Sequence, residues 1–178
     1  MSKIWNARYP FMMAAVVSLG VLLAGAQGHF SVITGKTFDG ALPREFYLEG
    51  NAIPTQKRNA ALLTTPAGKR LIVALLDTSG YSSQVQEKYL GMLINEGPVT
   101  VCGKSLGVGS FGFGLKTPAG QGAADATFLL YDQSGKEMMQ CSAQRDARLE
   151  RPTPLQIVLN GGSSATLSLG RYQVVFKP

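Results

Sequence analysis

Between Val99 and Leu115 the chain reads VTVCGKSLGVGSFGFGL, and few folds accommodate that order of residues. Val99 and Val101 alternate on one side, and Gly103-Lys104 supplies a turn. Leu106, Val108, Phe111, Phe113 and Leu115 then resume the period of two that marks a strand. Gly107, Gly109, Gly112 and Gly114 fall between these apolar positions, where side chains would otherwise stand on the opposite face. A strand with one bare face is pressed closely by another backbone or bent by bulges. The stretch therefore predicts two antiparallel strands meeting at a tight turn.

The same signals recur along the chain. Residues 27–38 are weakly patterned and read as a lead-in or a first edge strand. Phe46-Tyr47-Leu48 starts a short strand that Glu49-Gly50-Asn51 ends. Residues 53–59 read as an ordered loop, since Pro54 has no N–H to give a sheet interior. Ala60 to Thr65 and Arg70 to Leu76 flank the turn Pro66-Ala67-Gly68-Lys69 and predict a hairpin. Its second strand, LIVALL, reads as buried on both faces. Residues 83–94 fit either a helix, begun by the capping-box spacing of Ser83 and Gln86, or one helical turn over Ser83–Lys88 followed by a strand. The second is favoured, because Gly91 weakens a helix interior and Asn95-Glu96-Gly97 before Val99 is a hairpin signal. Further hairpins are expected over residues 127–142 and 154–169, with a last strand from Arg171 to Lys177. Short strands at near-regular spacing predict an all-β antiparallel two-sheet sandwich, or a partly open barrel, with at most one short helix.

Lys3 and Arg8 precede an apolar run, Phe11 to Leu23, and Ala24-Gly25-Ala26 follows as a small-x-small cleavage pattern. The run is shorter than the roughly 20 residues of a bilayer span. Residues 1–26 thus read as a signal peptide, cut after Ala26 or Gly28, and residues 27–178 as a single secreted or periplasmic domain with no membrane span. Loss of Lys3 and Arg8 lowers the formal charge of +6 by two. The remaining bases are dispersed, with no basic stripe or aromatic platform for nucleic acid. Cys102 and Cys141 are an even pair, which an oxidising compartment would join as a disulfide.

Over residues 99–111 the pattern V-x-V-x-G-K-x-L-x-x-G-x-F resembles a hairpin of secreted bacterial β-sandwich domains of unknown function. The resemblance covers about a tenth of the chain and implies the sandwich fold and no activity.

Several motifs bear on chemistry. Gly107-x-Gly109-x-x-Gly112 matches a dinucleotide fingerprint as a string, but its strand periodicity leaves no helix N-terminus for a pyrophosphate. No cofactor is expected. Leu75-Leu76-Asp77-Thr78-Ser79-Gly80 resembles the retroviral-type aspartic protease element, in which Asp77 would supply one carboxylate of a homodimeric dyad. Ser79 displaces the glycine that family needs beside Thr, and an Asx turn explains the same residues. The single histidine, His29, adjoins the cleavage site and gives a serine nucleophile no well-placed base. Cleavage after Ala26 would make Gln27-Gly28-His29 a terminus able to offer Cu(II) or Ni(II) a tetragonal nitrogen set.

Asn51, Gln56, Arg58 and Asn59 form the densest polar cluster, with Asp77, Tyr81 and Gln84 expected nearby across the hairpin. Loops of amide, guanidinium and aromatic groups on a rigid scaffold are common binding surfaces. The expected function is a non-catalytic binding or accessory domain that recognises a cell-envelope partner, a glycan or a peptide. The alternatives are the aspartic-type peptidase using Asp77 and an oligomerising structural envelope protein.

Overall fold

Leu71 to Leu76 form the strand on which the architecture rests. In the computed structural model, which describes residues 28–118 and 124–178, this run is buried on both faces. The signal peptide expected over residues 1–26 lies outside the described residues. The early strands are β1 (Ser31–Ile33), β2 (Glu45–Leu48), β3 (Asn51–Thr64), β4 (Arg70–Leu76), β5 (Gly91–Asn95), β6 (Val99–Val101) and β7 (Lys104–Leu106). There follow β8 (Gly109–Lys116), β9 (Ala126–Tyr131), β10 (Glu137–Arg145), β11 (Gln156–Asn160), β12 (Ser164–Leu169) and β13 (Tyr172–Lys177). Two short helices complete the described chain, α1 (Lys36–Ala41) and α2 (Ser83–Lys88).

The strands make one large antiparallel sheet nearly closed into a barrel, in the order β1-β3-β4-β5-β8-β9-β10-β13-β12-β11. The open seam lies between β1 and β11, where Phe30 N–H donates to the Gly162 carbonyl at 2.8 Å. Leu71, Val73 and Leu75 of β4 point into the barrel with Leu93, Phe113, Phe128, Val101 and Phe176. Ile72, Ala74 and Leu76 point outward into a second core with Leu48, Ile53, Tyr89 and Met92, roofed by β2 and α2. Two cores on one strand explain why β4 carries no polar alternation.

From Gly109 onward the glycine-rich stretch behaves as its pattern requires, but the second of the two expected strands is split into β7 and β8, with Val108 exposed between them. Phe111 and Phe113 of β8 enter the barrel core, while Gly112 and Gly114 face the roof. A Cβ on Gly112 would come within 2.8 Å of the Tyr89 ring and 2.9 Å of Leu48. One on Gly114 would overlap the Lys88 carbonyl oxygen. The bare face therefore lets the end of α2 lie directly on the strand, where Leu90 N–H donates to the Phe113 carbonyl at 2.8 Å.

Four details differ from the sequence expectation. Residues 53–59 are strand: β3 pairs β2 as far as Pro54 and resumes with β4 at Ala60, with a register shift between Thr55 and Ala60. Pro54 is tolerated because its carbonyl accepts Asp77 N–H, just beyond β4, so its missing donor falls where that ladder ends. Secondly, α1 adds a helix after the β1 edge strand. Thirdly, Asn95-Glu96-Gly97 is a crossover, since β5 pairs β4 and β8 whereas β6 pairs β7 and β13. Arg70 Nε holds both Glu96 carboxylate oxygens at 2.9 and 2.8 Å, anchoring that residue to β4 while the chain leaves the sheet. Lastly, the β6–β7 turn is Cys102-Gly103, with φ +49° and +78°, one residue earlier than expected. Positive φ at both central residues is the twist-matched hairpin turn. The chain then leaves β7 through exposed Val108 and re-enters the main sheet as β8.

Candidate functional site

The two polar segments singled out in the sequence do meet. Tyr81 hydroxyl donates to the Ala52 carbonyl, and Gln56 Nε2 donates to the Leu76 carbonyl at 3.0 Å. Asn59 Nδ2 donates to Gln56 Oε1 at 2.7 Å, and Asn51 Nδ2 donates to the Leu48 and Glu49 carbonyls across the β2–β3 turn. These contacts use most of the cluster internally. Exposed Asp77 closes an Asx turn, its Oδ1 accepting Ser79 N–H at 3.2 Å and Ser79 Oγ–H at 2.7 Å. Those bonds hold its carboxyl below the usual carboxylate range. Arg58 is exposed beside Lys57, which pairs with Asp39 of α1 at 2.8 Å.

Gln84 goes elsewhere. It stands on the outer face of α2, at one wall of an open cleft of about 500 Å³. Ser83, Glu87 and Lys88 share that wall, while Lys116 of β8, Tyr131 of β9 and Glu137 of β10 line the other side with Gly135. Local sequence explains the wall. Ser82 Oγ caps the helix by accepting Val85 N–H at 3.4 Å, one residue before the capping position expected, and Gln86 Nε2 donates to the Tyr81 carbonyl at 2.7 Å. The single buried residue of α2, Val85, fixes it to the roof core. Across the cleft, Asp132 Oδ1 accepts the N–H groups of Ser134 and Lys136 at 2.9 and 3.0 Å, which sets the β9–β10 turn.

Beneath the cleft lies a compact charged and aromatic network. Lys88 Nζ pairs with Glu49 Oε1 and lies 5.2 Å from the Tyr89 ring centre and 5.0 Å from that of Tyr131. Tyr89 hydroxyl donates to the same Glu49 oxygen at 2.6 Å, and the two rings meet edge to face at 5.5 Å. An ammonium over two ring faces is attracted by their quadrupoles. Burial, then the bond to Glu49, pushes the Tyr89 hydroxyl pKa upward, and burial does the same to Tyr131. Hydrogen bonds from Lys88 and then Tyr89 hold the Glu49 carboxyl below its ordinary value.

The pH consequence follows. A depressed carboxylate pKa stabilises the fold fully above the unfolded value of about 4.3, and the contribution is lost as pH falls through the folded value. Glu49→Gln should therefore lower stability at pH 7 by about 1 kcal/mol, a modest figure because the pair is partly solvated. Urea unfolding of both proteins should show the gap shrinking below about pH 4. A gap that stays constant to pH 2 would mean the carboxylate charge contributes nothing.

Gln84, Glu87, Lys116 and Glu137 are different in kind from this network. All four are exposed, and among the described residues none forms an ion pair or a side-chain hydrogen bond. The cleft thus offers two acids, a base and an amide to solvent on a floor whose own charges are already matched. Sequence reasoning reached Gln84 only. Glu87, Lys88, Lys116, Tyr131 and Glu137 come from four separate elements, α2, β8, β9 and β10, and share no local motif, so only the tertiary arrangement brings them together.

His29 is exposed and lies against Gly162 in the turn between β11 and β12, beside Gly28, Pro66 and Ser163. Gln27, needed for the terminal metal set, lies outside the described residues. Among the described residues no group of three or more His, Cys, Asp or Glu is placed to hold a metal ion, and no helix is long and apolar enough to cross a membrane. Cys102 and Cys141 stand at disulfide distance, with Cα atoms 6.2 Å apart. No protein-family model, curated protein or solved structure matches this chain.

Proposed function

We propose that this protein is an exported, non-catalytic binding domain that recognises a peptide, or a glycan bearing one, at the cell envelope. The cleft between α2 and the β9–β10 turn is the recognising surface. The observation that carries the reading is the convergence of four exposed side chains, Gln84, Glu87, Lys116 and Glu137, on one cleft of about 500 Å³. Both signs of charge suit a peptide, which offers carboxylates to Lys116 and amines to the two acids. The matched Glu49–Lys88–Tyr89 floor keeps the walls in place, so little ordering cost attends binding. The apolar run Phe11 to Leu23 and the cysteine pair support export.

Titration with soluble peptidoglycan fragments, followed by amide chemical shifts, tests the proposal. Shifts should concentrate on α2, Lys116 and Glu137. The double variant Gln84→Ala, Lys116→Glu should bind about tenfold more weakly, a loss of about 1.4 kcal/mol. Binding that ignores both substitutions would remove the cleft from the account. Cleavage of the fragments, abolished by Asp77→Asn, would favour the peptidase instead.

A further inference from the structure

The hairpin β6–β7 lies beside β10 without pairing to it. β10 pairs β9 over Glu137–Ala143 and touches β13 through only two residues, Gln144 and Arg145. β13 is then taken up by β6 at Phe176 and Lys177. Where the strands part, a cleft of about 550 Å³ opens, lined by Cys102, Lys104, Cys141, Ser142, Gln144 and Gln173. Two links cross the space beside it, the Cys102–Cys141 pair and Lys104 Nζ, which donates to the Gln140 carbonyl at 2.8 Å.

We propose that Cys102–Cys141 is an exchange-competent disulfide, reduced in the folded protein by a thiol that enters this cleft. Both half-cystines are half-buried and line its wall, so a thiolate reaches them without the core opening. The hairpin does not depend on the bond for its position. Val99, Val101 and Leu106 are 2%, 0% and 6% exposed in the barrel core, and Cys102 N–H donates to the Val175 carbonyl at 3.0 Å. The Lys104 ammonium lines the same wall, a positive charge that attracts an incoming thiolate. Cys102 also holds φ +49° at a turn position that favours Asn, Asp or Gly, so turn geometry alone gives no reason for a cysteine there.

The reaction balances with a dithiol. Its thiolate attacks one sulfur, the S–S bond breaks, and the other cysteine leaves as thiolate. The second thiol of the attacker then displaces the first from the mixed disulfide. The dithiol ends oxidised to a disulfide, and its two protons reside on the thiols of Cys102 and Cys141. A monothiol stops at the mixed disulfide unless a second molecule follows.

The native protein would be treated with dithiothreitol, and in parallel with glutathione, across urea concentrations below the unfolding midpoint. Free thiols are counted by alkylation and mass, and the fold is followed by circular dichroism. Dithiothreitol should reduce the bond within about tenfold of the rate for a small-molecule disulfide, independently of urea and with the β-signal retained. An accumulating glutathione adduct would assign the natural attacker to monothiols, and reduction by the dithiol alone to a dithiol partner. Reduction that accelerates with urea in step with unfolding, or that costs the β-signal, would overturn the proposal.

Discussion

Gly114→Ala should lower the unfolding free energy by about 3 kcal/mol, whereas Gly107→Ala should leave it unchanged or raise it by about 0.5 kcal/mol. The two residues belong to the same glycine-rich stretch and differ in what surrounds them. A Cβ at Gly114 would overlap the Lys88 carbonyl oxygen, a backbone atom fixed by the end of α2 and by the Leu90 N–H bond to Phe113. Overpacking against an immovable neighbour costs about 1–3 kcal/mol, and lifting α2 also loosens Val85 and Tyr89 in the roof core. At Gly107 nothing lies within 4 Å of the added methyl, so the change acts on the unfolded chain by reducing its freedom. Urea denaturation with unchanged slope separates the two through their midpoints. Equal midpoints would mean the bare strand face is not held by close contact.

The same pair of glycines shows what a linear reading of this chain captures and what it misses. Period-two apolar residues and glycines between them are local facts, and they place β8, its buried aromatics and its bare face. β4 is equally legible, because six apolar residues in a row leave a strand no solvent face. The one-turn helix followed by a strand over residues 83–95 is legible too, since Gly91 and the β-turn signals disfavour a long helix. Partner choice is not local. Asn95-Glu96-Gly97 has the composition of a hairpin turn, yet Arg70, twenty-six residues earlier, holds Glu96 to β4 and the chain crosses to β13. Pro54 reads as a sheet breaker until the end of β4 is known to lie on the side where its N–H is missing. The site divides in the same way. Polar residues dense in sequence, Asn51 to Asn59, are largely taken up by neighbouring backbone carbonyls and by one another, whereas Glu87, Lys116 and Glu137 look unremarkable along the chain and become a cleft only when α2, β8, β9 and β10 are neighbours.

Asn95→Asp should be strongly pH-sensitive, costing about 3 kcal/mol at pH 7 and much less at pH 4. Asn95 is 1% exposed at the end of β5, and its Nδ2 donates to the Gly107 carbonyl at 2.9 Å and the Leu106 carbonyl at 3.4 Å. These bonds tie the β7–β8 connection to the main sheet. Its Oδ1 is buried without a hydrogen-bond partner. An aspartate has the same shape but, ionised, offers acceptors to two carbonyl acceptors and adds a charge with no solvent. Breaking such a buried arrangement by leaving an uncompensated charge costs about 3–5 kcal/mol. Burial raises the carboxyl pKa of the variant above the unfolded value of about 3.9, so its folded state binds the proton more tightly than the unfolded one. Stability relative to the parent is therefore highest below the unfolded pKa and falls as pH rises through the folded one. Once protonated, the acid donates one O–H toward Gly107 and recovers part of the lost bonding. Chemical denaturation of both proteins from pH 3 to 8 should show the difference widening with pH. A constant difference would mean that the carboxylate has turned out to solvent, and that the Asn95 clamp yields more readily than its burial implies.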